Sequence, residues 1–212
     1  KAIDQYRVCQ TLGTCLVSTA FGVPGWSPDG RELAYGRIDL YGLRSGPSTS
    51  GAPLVYESGR LEVLDMKTGR VRVLAASGKT CAWSPDGRWI AFDRVPNRGP
   101  AGCASELWVV SSAGGQPRYL ARGDWPNWVG RTGQLFYHSG GRAYSLNVDD
   151  PLDQPESILA CDPYFAVSPD GKYLAHSEGD RLSVVEVSNG QMKARWMAPP
   201  PYGKHGMALR WA

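Results

Sequence analysis

The chain has 212 residues, 42% of them apolar, which is enough to bury one β-rich domain or two small ones. Its 23 basic and 20 acidic residues are interspersed, so no charged block indicates a nucleic-acid or membrane-surface partner. No run of about 18 apolar residues predicts a transmembrane helix. No leader precedes Lys1 and no initiating Met is present, which suggests a processed or excerpted chain.

The chain starts with two short apolar runs, residues 6–9 and 15–19, on either side of Gly13. This pattern predicts a β-hairpin that belongs to a unit before the first complete one. Cys9 and Cys15 flank the predicted turn and could be joined across it by a disulfide. Free thiols are an equally good interpretation, because strand register cannot be set to within one residue from sequence.

Four segments then align without a gap: WSPDGRELAY from Trp26, WSPDGRWIAF from Trp83, WVGRTGQLFY from Trp128 and VSPDGKYLAH from Val167. Their first residues are 57, 45 and 39 positions apart, and Trp211 follows 44 positions after Val167. A four-stranded propeller blade takes roughly 40 to 45 residues. The repeat therefore predicts one blade per unit, and the recurring tryptophans are expected between blades rather than stacked on a ligand.

The tetrapeptide SPDG is suited to a tight turn between the first two strands of each unit. Its proline fixes φ, its aspartate can accept hydrogen bonds from nearby amides, and its glycine tolerates positive φ. We therefore interpret Asp29, Asp86 and Asp170 as turn formers and not as a carboxylate cluster. The third unit has VGRT at 129–132 instead, which leaves its turn geometry open.

Two further strands follow in each unit, joined by turns that contain glycine, so each unit is predicted to be a four-stranded antiparallel meander. Complete units are predicted at 22–76, 79–122, 124–160 and 163–198, with partial strands at 1–20 and 204–212. The partial strands could share one composite blade of a five-bladed ring. Alternatively, the chain is a piece of a six- to eight-bladed propeller, which we favour because it stops inside a motif.

These residues resemble the WD40-like Pro-Asp repeat family, known from the TolB propeller and from the propeller domains of prolyl-oligopeptidase-type peptidases. The likeness covers nearly the whole chain through the SPDG motifs at Ser27, Ser84 and Ser168. It implies an all-β propeller, often in a periplasmic or secreted setting, and commonly a protein-binding role. Fold alone does not fix function.

Long connections are expected on one face of the predicted disc, because the second-to-third strand loops and the loops between blades share that side. The insertions at 37–59 and 94–105 are the longest, and loops on a rigid scaffold often carry binding residues. The alternative is that their aromatic residues fold beneath the loops. The predicted partner-binding residues are Tyr41, Arg44, Tyr56, Arg98, Trp125, Tyr164, Phe165 and Tyr202.

His138, His176 and His205 are expected near the same face, but no acid accompanies them in a recognisable pattern, so neither a metal nor a cofactor is predicted. Cys81 and Cys103 fall in one unit on the same face. A disulfide between them would pin the second insertion and suit an oxidising compartment. Free buried thiols are about as good an interpretation, and these pairings leave Cys161 over.

No catalytic motif is recognisable. The stretch GWSPD at 25–29 fails the last position of the GxSxG nucleophile motif, and no pair of carboxylates is set across a central cleft. We expect a non-catalytic protein-interaction or scaffolding module, in a multi-subunit extracytoplasmic assembly. The alternative is a substrate-gating or ligand-binding propeller excerpted from a larger hydrolase.

Overall fold

The computed structural model describes residues 14–43, 55–94, 105–130, 133–161, 165–178 and 181–197. In this part of the chain all helical or strand structure is β-strand, arranged in four antiparallel sheets that follow one another in sequence. The second, third and fourth sheets are meanders of consecutive strands, as expected from the repeat, and the first sheet contains such a meander with one additional strand. The predicted all-β class is confirmed.

The strands have the following bounds. The first sheet contains β1 (Thr14–Phe21), β2 (Gly25–Trp26), β3 (Glu32–Leu43), β4 (Val55–Asp65) and β5 (Val71–Ala75). The second contains β6 (Cys81–Trp83), β7 (Trp89–Arg94), β8 (Glu106–Ser111) and β9 (Arg118–Arg122). The third contains β10 (Asp124–Val129), β11 (Gln134–Ser139), β12 (Arg142–Asn147) and β13 (Glu156–Ala160). The fourth contains β14 (Phe165–Val167), β15 (Tyr173–Glu178), β16 (Arg181–Glu186) and β17 (Met192–Met197).

The sheets stack side by side, and the strands that open each repeat, β2, β6, β10 and β14, contact one another in that order. Three apolar clusters fill the spaces between successive sheets. The first joins Leu61 to Ile90, the second joins Leu107 to Leu135, and the third joins Phe136 to Leu174. Inner sheets are covered on both faces, which explains why their second strands are apolar throughout instead of alternating.

The N-terminal strand corrects one prediction. Residues 15–19 were expected in a hairpin of a preceding unit, but β1 pairs antiparallel with the far half of β3, from Thr14 opposite Leu43 to Phe21 opposite Arg37. It therefore belongs to the first sheet, and the composite closing blade loses its N-terminal half. Residues 6–9, Gly13 and the predicted strand at 204–212 lie outside the described residues.

The first insertion also differs from its prediction. Residues 37–59 were expected to be a loop, yet β3 runs to Leu43 and β4 starts at Val55, with eleven directly paired positions between them. Only residues 44–54 separate the two strands. The segment IDLYGL contains Ile38 and Tyr41, which belong to the β-branched and aromatic residues enriched in strands. The nearby glycines obscured this signal.

A close backbone contact joins the first sheet to the connection before β6. A Cβ atom added to Gly36 would lie 2.2 Å from the carbonyl oxygen of Lys79, and one added to Gly22 would lie 1.6 Å from the same atom. Only glycine fits at both positions. Beside this contact, the amide of Cys81 donates a hydrogen bond to the carbonyl of Val23. Backbone contacts therefore hold the first two sheets together close to β2 and β6.

Candidate protein-binding face

The two faces of the stack differ in their connections. The turn face carries the SPDG segments at 27–30, 84–87 and 168–171. The opposite side, here called the loop face, carries the second-to-third strand connections, including β3–β4 and β7–β8, and the connections between sheets. Binding residues were predicted on the loop face.

On the turn face the three SPDG segments have the same hydrogen bonds. The hydroxyls of Ser27, Ser84 and Ser168 donate to the aspartate two residues later at 2.6 to 2.7 Å, and that carboxylate accepts an amide at 3.0 to 3.1 Å. Each serine hydroxyl also accepts the amide five residues later at 2.9 Å. The glycines have φ between 69° and 76°. The aspartates are turn formers, as predicted.

These bonds favour the carboxylate form. The Ser27 and Ser168 hydroxyls, with the amides that follow, lower the pKa of Asp29 and Asp170. Burial opposes the effect at Asp86, yet hydrogen bonds from Ser84 and from the Arg88 amide and side chain lower its pKa to about 2. An acid so firmly ionised is a poor proton donor, which fits a structural role.

The loop face bears a three-stranded extension made of β1, the far half of β3 (residues 37–43) and the near half of β4 (residues 55–60). The strands β3 and β4 have 12 and 11 residues, whereas their counterparts in the other three sheets have six. Tyr41 is directly opposite Tyr56 and also opposite Leu16. Two predicted binding residues are thus at directly opposed positions of the β3–β4 ladder.

A network of charged side chains lies where the extension joins the rest of the first sheet. Arg37 donates from Nε to Asp39 at 3.2 Å, and Arg60 lies 3.7 Å from Asp39 and 3.6 Å from Glu62. Both carboxylates are buried, while the two guanidinium groups are partly exposed. Burial and a hydrogen bond to Glu62 raise the pKa of Tyr35. Asp39 and Arg60 also line an open groove of about 710 Å³ that runs to the end of β5 at Ala75.

The neighbouring part of the loop face belongs to the second sheet. The guanidinium of Arg94 stacks 3.8 Å from the ring centroid of Trp108, and its Nε donates to Glu106 at 3.1 Å. The Trp108 indole donates to the same carboxylate at 3.0 Å. Cation–π stacking of this kind fixes an arginine that would otherwise be mobile. Neither residue was predicted as part of the site, although Trp108 lies only two positions along β8 from Glu106, which is directly opposite Arg94.

Trp125 has an unusual backbone where the second and third sheets meet. Its φ is 55°, which is uncommon for a residue with a large side chain. Nδ1 of His138 lies 3.1 Å from the carboxylate of the preceding Asp124, which accepts a hydrogen bond from that nitrogen when the nitrogen carries the proton. Thr80 donates from both its amide and its hydroxyl to the buried Asp93. Burial raises the pKa of Asp93, and the charge of Asp124 adds to that effect.

The other predicted residues have mixed outcomes. Phe165 was expected to be an exposed anchor, but it is only 7% exposed and packs between the third and fourth sheets, so that prediction is wrong. Phe165 lies directly opposite His176 in the β14–β15 ladder, and both residues are buried. Trp125 is half-buried. The remaining predicted binding residues lie outside the described residues: Arg44, Arg98, Tyr164 and Tyr202.

The histidines and cysteines of the described segments are mostly inside the protein. His176 is buried, and His205 lies outside the description. Cys81 is a free thiol whose Sγ lies 3.7 Å from the carbonyl oxygen of Val23, and burial raises its pKa to about 12. This agrees with the free-thiol alternative for Cys81. Cys103, the other half of the hypothesised disulfide, lies outside the described residues, as does Cys9. Cys161 is buried.

Within the described ranges, no group of three or more His, Cys, Asp or Glu side chains is arranged to hold a metal ion. The same ranges contain no helix that could span a membrane.

Comparison with known proteins supports the fold without naming a family. No family model and no curated protein matches the chain. Among solved structures, it is similar to a chain of the nidogen/laminin complex, with a TM-score of 0.54 and 15% identity over 84% of this chain and 80% of that one. It is also similar to the Myceliophteria thermophila Cps50 (Swd1) β-propeller domain, with a TM-score of 0.50 and 13% identity over 84% and 74%.

A third similar structure is a putative dipeptidyl aminopeptidase IV from Bacteroides ovatus, with a TM-score of 0.51 and 16% identity. The similarity covers 83% of this chain and 35% of that protein. Identities this low show the fold alone. Together with the stacked four-stranded sheets, they show that the chain is a β-propeller of antiparallel blades.

Proposed function

We propose that this chain is a non-catalytic protein-interaction module of a larger, extracytoplasmic assembly, and that its partner binds the extension formed by β1, β3 and β4. The extension is the main observation behind this proposal, because it adds surface that the other three sheets do not have. The matching strands of the other three sheets have six residues, so β3 and β4 exceed that length by six and five residues.

The backbone of the extension supports a protein partner. The ladder between β4 and β5 starts at Leu61, and within the described residues no strand pairs with residues 55–60 on the side away from β3. An unpaired strand edge can accept an extended segment of another protein. The groove lined by Gly59, Arg60 and Ala75 lies beside this edge and could hold such a segment.

The side chains where the extension joins the rest of the first sheet also suit recognition of a protein partner. Arg37 and Arg60 are held in position by buried carboxylates and remain partly exposed. Tyrosine and arginine are the residues most often found at the energetic centres of interfaces. The tyrosine pair Tyr41 and Tyr56 stands on the same extension.

A non-catalytic role is supported by the way the chain uses its acids. The aspartates of the SPDG segments hold turns, Asp93 holds Thr80, and Asp124 holds His138. Each of these carboxylates is engaged in a local contact that holds a turn or orients one neighbouring side chain, which is a structural use of the acid.

The test is to capture partners from the native source with tagged wild-type protein and with the double variant Tyr41→Ala/Tyr56→Ala. We expect the variant to lose at least about tenfold in affinity for the partner recovered, since two aromatic anchors are removed. Its melting temperature should stay within about 2 °C of wild type, because the extension lies outside the packed blades.

Leu152→Ala is the matched control. Leu152 is 83% exposed in the β12–β13 connection, which lies on the turn face, so its truncation should not change binding. Retention of full affinity by the double tyrosine variant would show that the partner does not use the extension.

The gating-domain alternative makes a different prediction. A propeller excerpted from a hydrolase would bind a catalytic domain encoded in the same gene, and small substrates would raise its melting temperature. Full-length sequence and a thermal-shift screen distinguish the two functions.

A further inference from the structure

An arginine reaches across each of the first two interfaces between sheets. Arg72, in β5 of the first sheet, donates from Nη1 to the carbonyl of Ser112 in the second sheet at 2.8 Å. Its Nη2 donates to both carboxylate oxygens of Glu32, at 2.8 and 2.9 Å. Arg118, in the matching strand β9, donates to the carbonyl of Val148 in the third sheet at 2.6 Å. A guanidinium therefore occupies this place at two of the three interfaces.

The interface between the third and fourth sheets has an acid there instead. Glu156 holds the position in the β12–β13 ladder that Arg118 holds in the β8–β9 ladder. The matched acceptor is the carbonyl of Val187, because the amides of Val148 and Val187 both donate to the residue just before the second strand of their sheet. Among the described residues, no group donates to the Val187 carbonyl. The donor that the arginines supply elsewhere is missing at this interface.

A small pocket lies beside Glu156 at the turn face. Its volume is about 200 Å³, below the roughly 300 Å³ at which sites for drug-sized ligands begin. Gln134 of β11 and Ser145 of β12 line it, together with Asp153 and Gln154 of the β12–β13 connection. Its size suits a single head group, and its carboxylate, amide and hydroxyl oxygens suit a group that donates hydrogen bonds and carries positive charge.

Ser145 is the buried part of the pocket lining. It is 5% exposed, at a position where the first and second sheets have Val63 and Val109, both fully buried. It lies directly opposite Phe136, which packs against the fourth sheet, so the Ser145 side chain is on that side of its sheet as well. In the described segments, the Ser145 hydroxyl makes no hydrogen bond. Buried hydroxyls normally have a partner, which a ligand in the pocket would supply.

The acids of the pocket are not balanced by cations of this part of the chain. Within the described ranges, neither Asp153 nor Glu156 has a Lys or Arg side chain at ion-pair distance. Arg88 is engaged by Asp149 at 2.7 Å, and Lys172 lies 3.6 Å from the aspartate of its own SPDG segment. The local charge therefore favours a cationic ligand.

We propose that this pocket binds a guanidinium group, which takes the place that Arg72 and Arg118 occupy at the other two interfaces. The group belongs to a small guanidino compound or to an arginine of another protein, since the pocket holds only the head group. The two carboxylates compensate its charge, while Gln134 and Ser145 offer oxygen acceptors to its N–H groups. A guanidinium suits several acceptors spread around it better than a lysine ammonium does, because its five N–H groups form a planar fork.

The test is calorimetric titration of the protein with N-acetyl-arginine methylamide. N-acetyl-citrulline methylamide, which is uncharged and has nearly the same shape, is the matched probe. We expect saturable binding of the arginine probe, at least about tenfold tighter than that of the citrulline probe, because charge-assisted hydrogen bonds are roughly twice as strong as neutral ones. A capped glycine peptide with one central arginine distinguishes the sources. Equal or tighter binding of the peptide indicates a protein side chain, and weaker binding indicates a small compound.

Variants of the pocket test the assignment of residues. Glu156→Gln should weaken binding of the arginine probe at least about fivefold. Glu156→Arg should abolish binding and raise the melting temperature by about 2 °C, since the chain then supplies its own guanidinium as it does at the other interfaces. Leu152→Ala changes the same connection outside the pocket lining and should bind the probe like wild type.

Glu156 is exposed, so both of its variants are expected to fold, and circular dichroism checks this. Three results would each overturn the proposal: no saturable binding of the arginine probe, equal binding of the arginine and citrulline probes, or full affinity in Glu156→Gln. None of these results depends on the extension of the loop face, which Tyr41 and Tyr56 test separately.

Discussion

Asp86 illustrates how acidic residues of this chain stabilise backbone turns. Its carboxylate accepts from the Ser84 hydroxyl at 2.6 Å and from the Arg88 amide at 3.0 Å, and the proline and glycine on either side set the turn around it. The same three-residue pattern recurs at Asp29 and Asp170. A repeated acid in a propeller is therefore better explained by its turn than by catalysis.

Asp86→Asn should destabilise the protein in a pH-dependent way. The pKa of Asp86 is about 2 in the folded state, below its ordinary value of 3.8, so the carboxylate stabilises the fold above about pH 4. That contribution is lost as the pH falls from about 4 towards 2. We expect Asp86→Asn to lower the melting temperature by about 2 to 4 °C at pH 7, the shift that roughly 1 kcal/mol produces in a domain of this size.

The difference between Asp86→Asn and wild type should narrow as the pH is lowered towards 2. Ser84→Ala is the comparison, because it removes hydrogen bonds to Asp86 and to the Trp89 amide without removing a titratable group. The Ser84 hydroxyl helps to lower the pKa of Asp86, so that part of its deficit should also narrow at low pH, whereas the part due to the lost Trp89 contact should persist. A pH-independent deficit for Asp86→Asn, measured by thermal melts between pH 7 and pH 2.5, would contradict the ionised turn.

The joint between β3 and β6 depends on the absence of side chains. Gly36 of β3 lies against the carbonyl groups of Gly78 and Lys79, at 2.7 and 2.2 Å from where its Cβ would be. Both contacts are to backbone, so a larger residue must move one sheet relative to the other. Cys81 is buried beside this joint and reports on it.

Gly36→Ala should open the joint locally. We expect a loss of about 1 to 3 kcal/mol, the usual cost of overpacking a core. Cys81, whose thiol pKa is raised to about 12 by burial, should react with iodoacetamide at pH 8 much faster in the variant than in wild type. Peptide mapping by mass spectrometry measures the rate, and Cys161, buried between the third and fourth sheets, is the internal control. An unchanged Cys81 rate would show that the joint tolerates the methyl group.

Most strands could be predicted from the sequence because the same pattern of turn and apolar residues occurs four times. It failed at β1, where no SPDG segment marks the pairing and where the partner is the far half of an unusually long β3. It placed Phe165 on the surface for a related reason: exposure depends on which sheet lies opposite, and periodicity within one strand does not reveal that. The Arg94–Trp108 contact was missed because it joins two strands across a long connection.

At the scale of the molecule, the four sheets form a nearly one-dimensional stack. Each apolar cluster is shared by two successive sheets, so the first and fourth sheets each have one neighbour among the described sheets while the inner ones have two. In such arrays stability is approximately a sum over neighbouring interfaces. The position of a core substitution along the stack should therefore decide how much of the chain unfolds.

Leu135→Ala and Leu174→Ala test this with matched residues. Both leucines hold the same place in their repeats and are fully buried, Leu135 between the second and third sheets and Leu174 between the third and fourth. Each substitution should cost about 2 to 5 kcal/mol. Leu174→Ala should release only the fourth sheet, whereas Leu135→Ala divides the stack in the middle and should weaken all four sheets.

Native-state hydrogen exchange measures the difference. In Leu174→Ala the amides of β15 to β17 should lose protection while those of β3 and β8 keep theirs. In Leu135→Ala protection should fall in β3, β8, β11 and β15 together. If both variants lose protection equally in every sheet, the stack unfolds as one unit, and long-range closure rather than neighbouring contacts controls its stability.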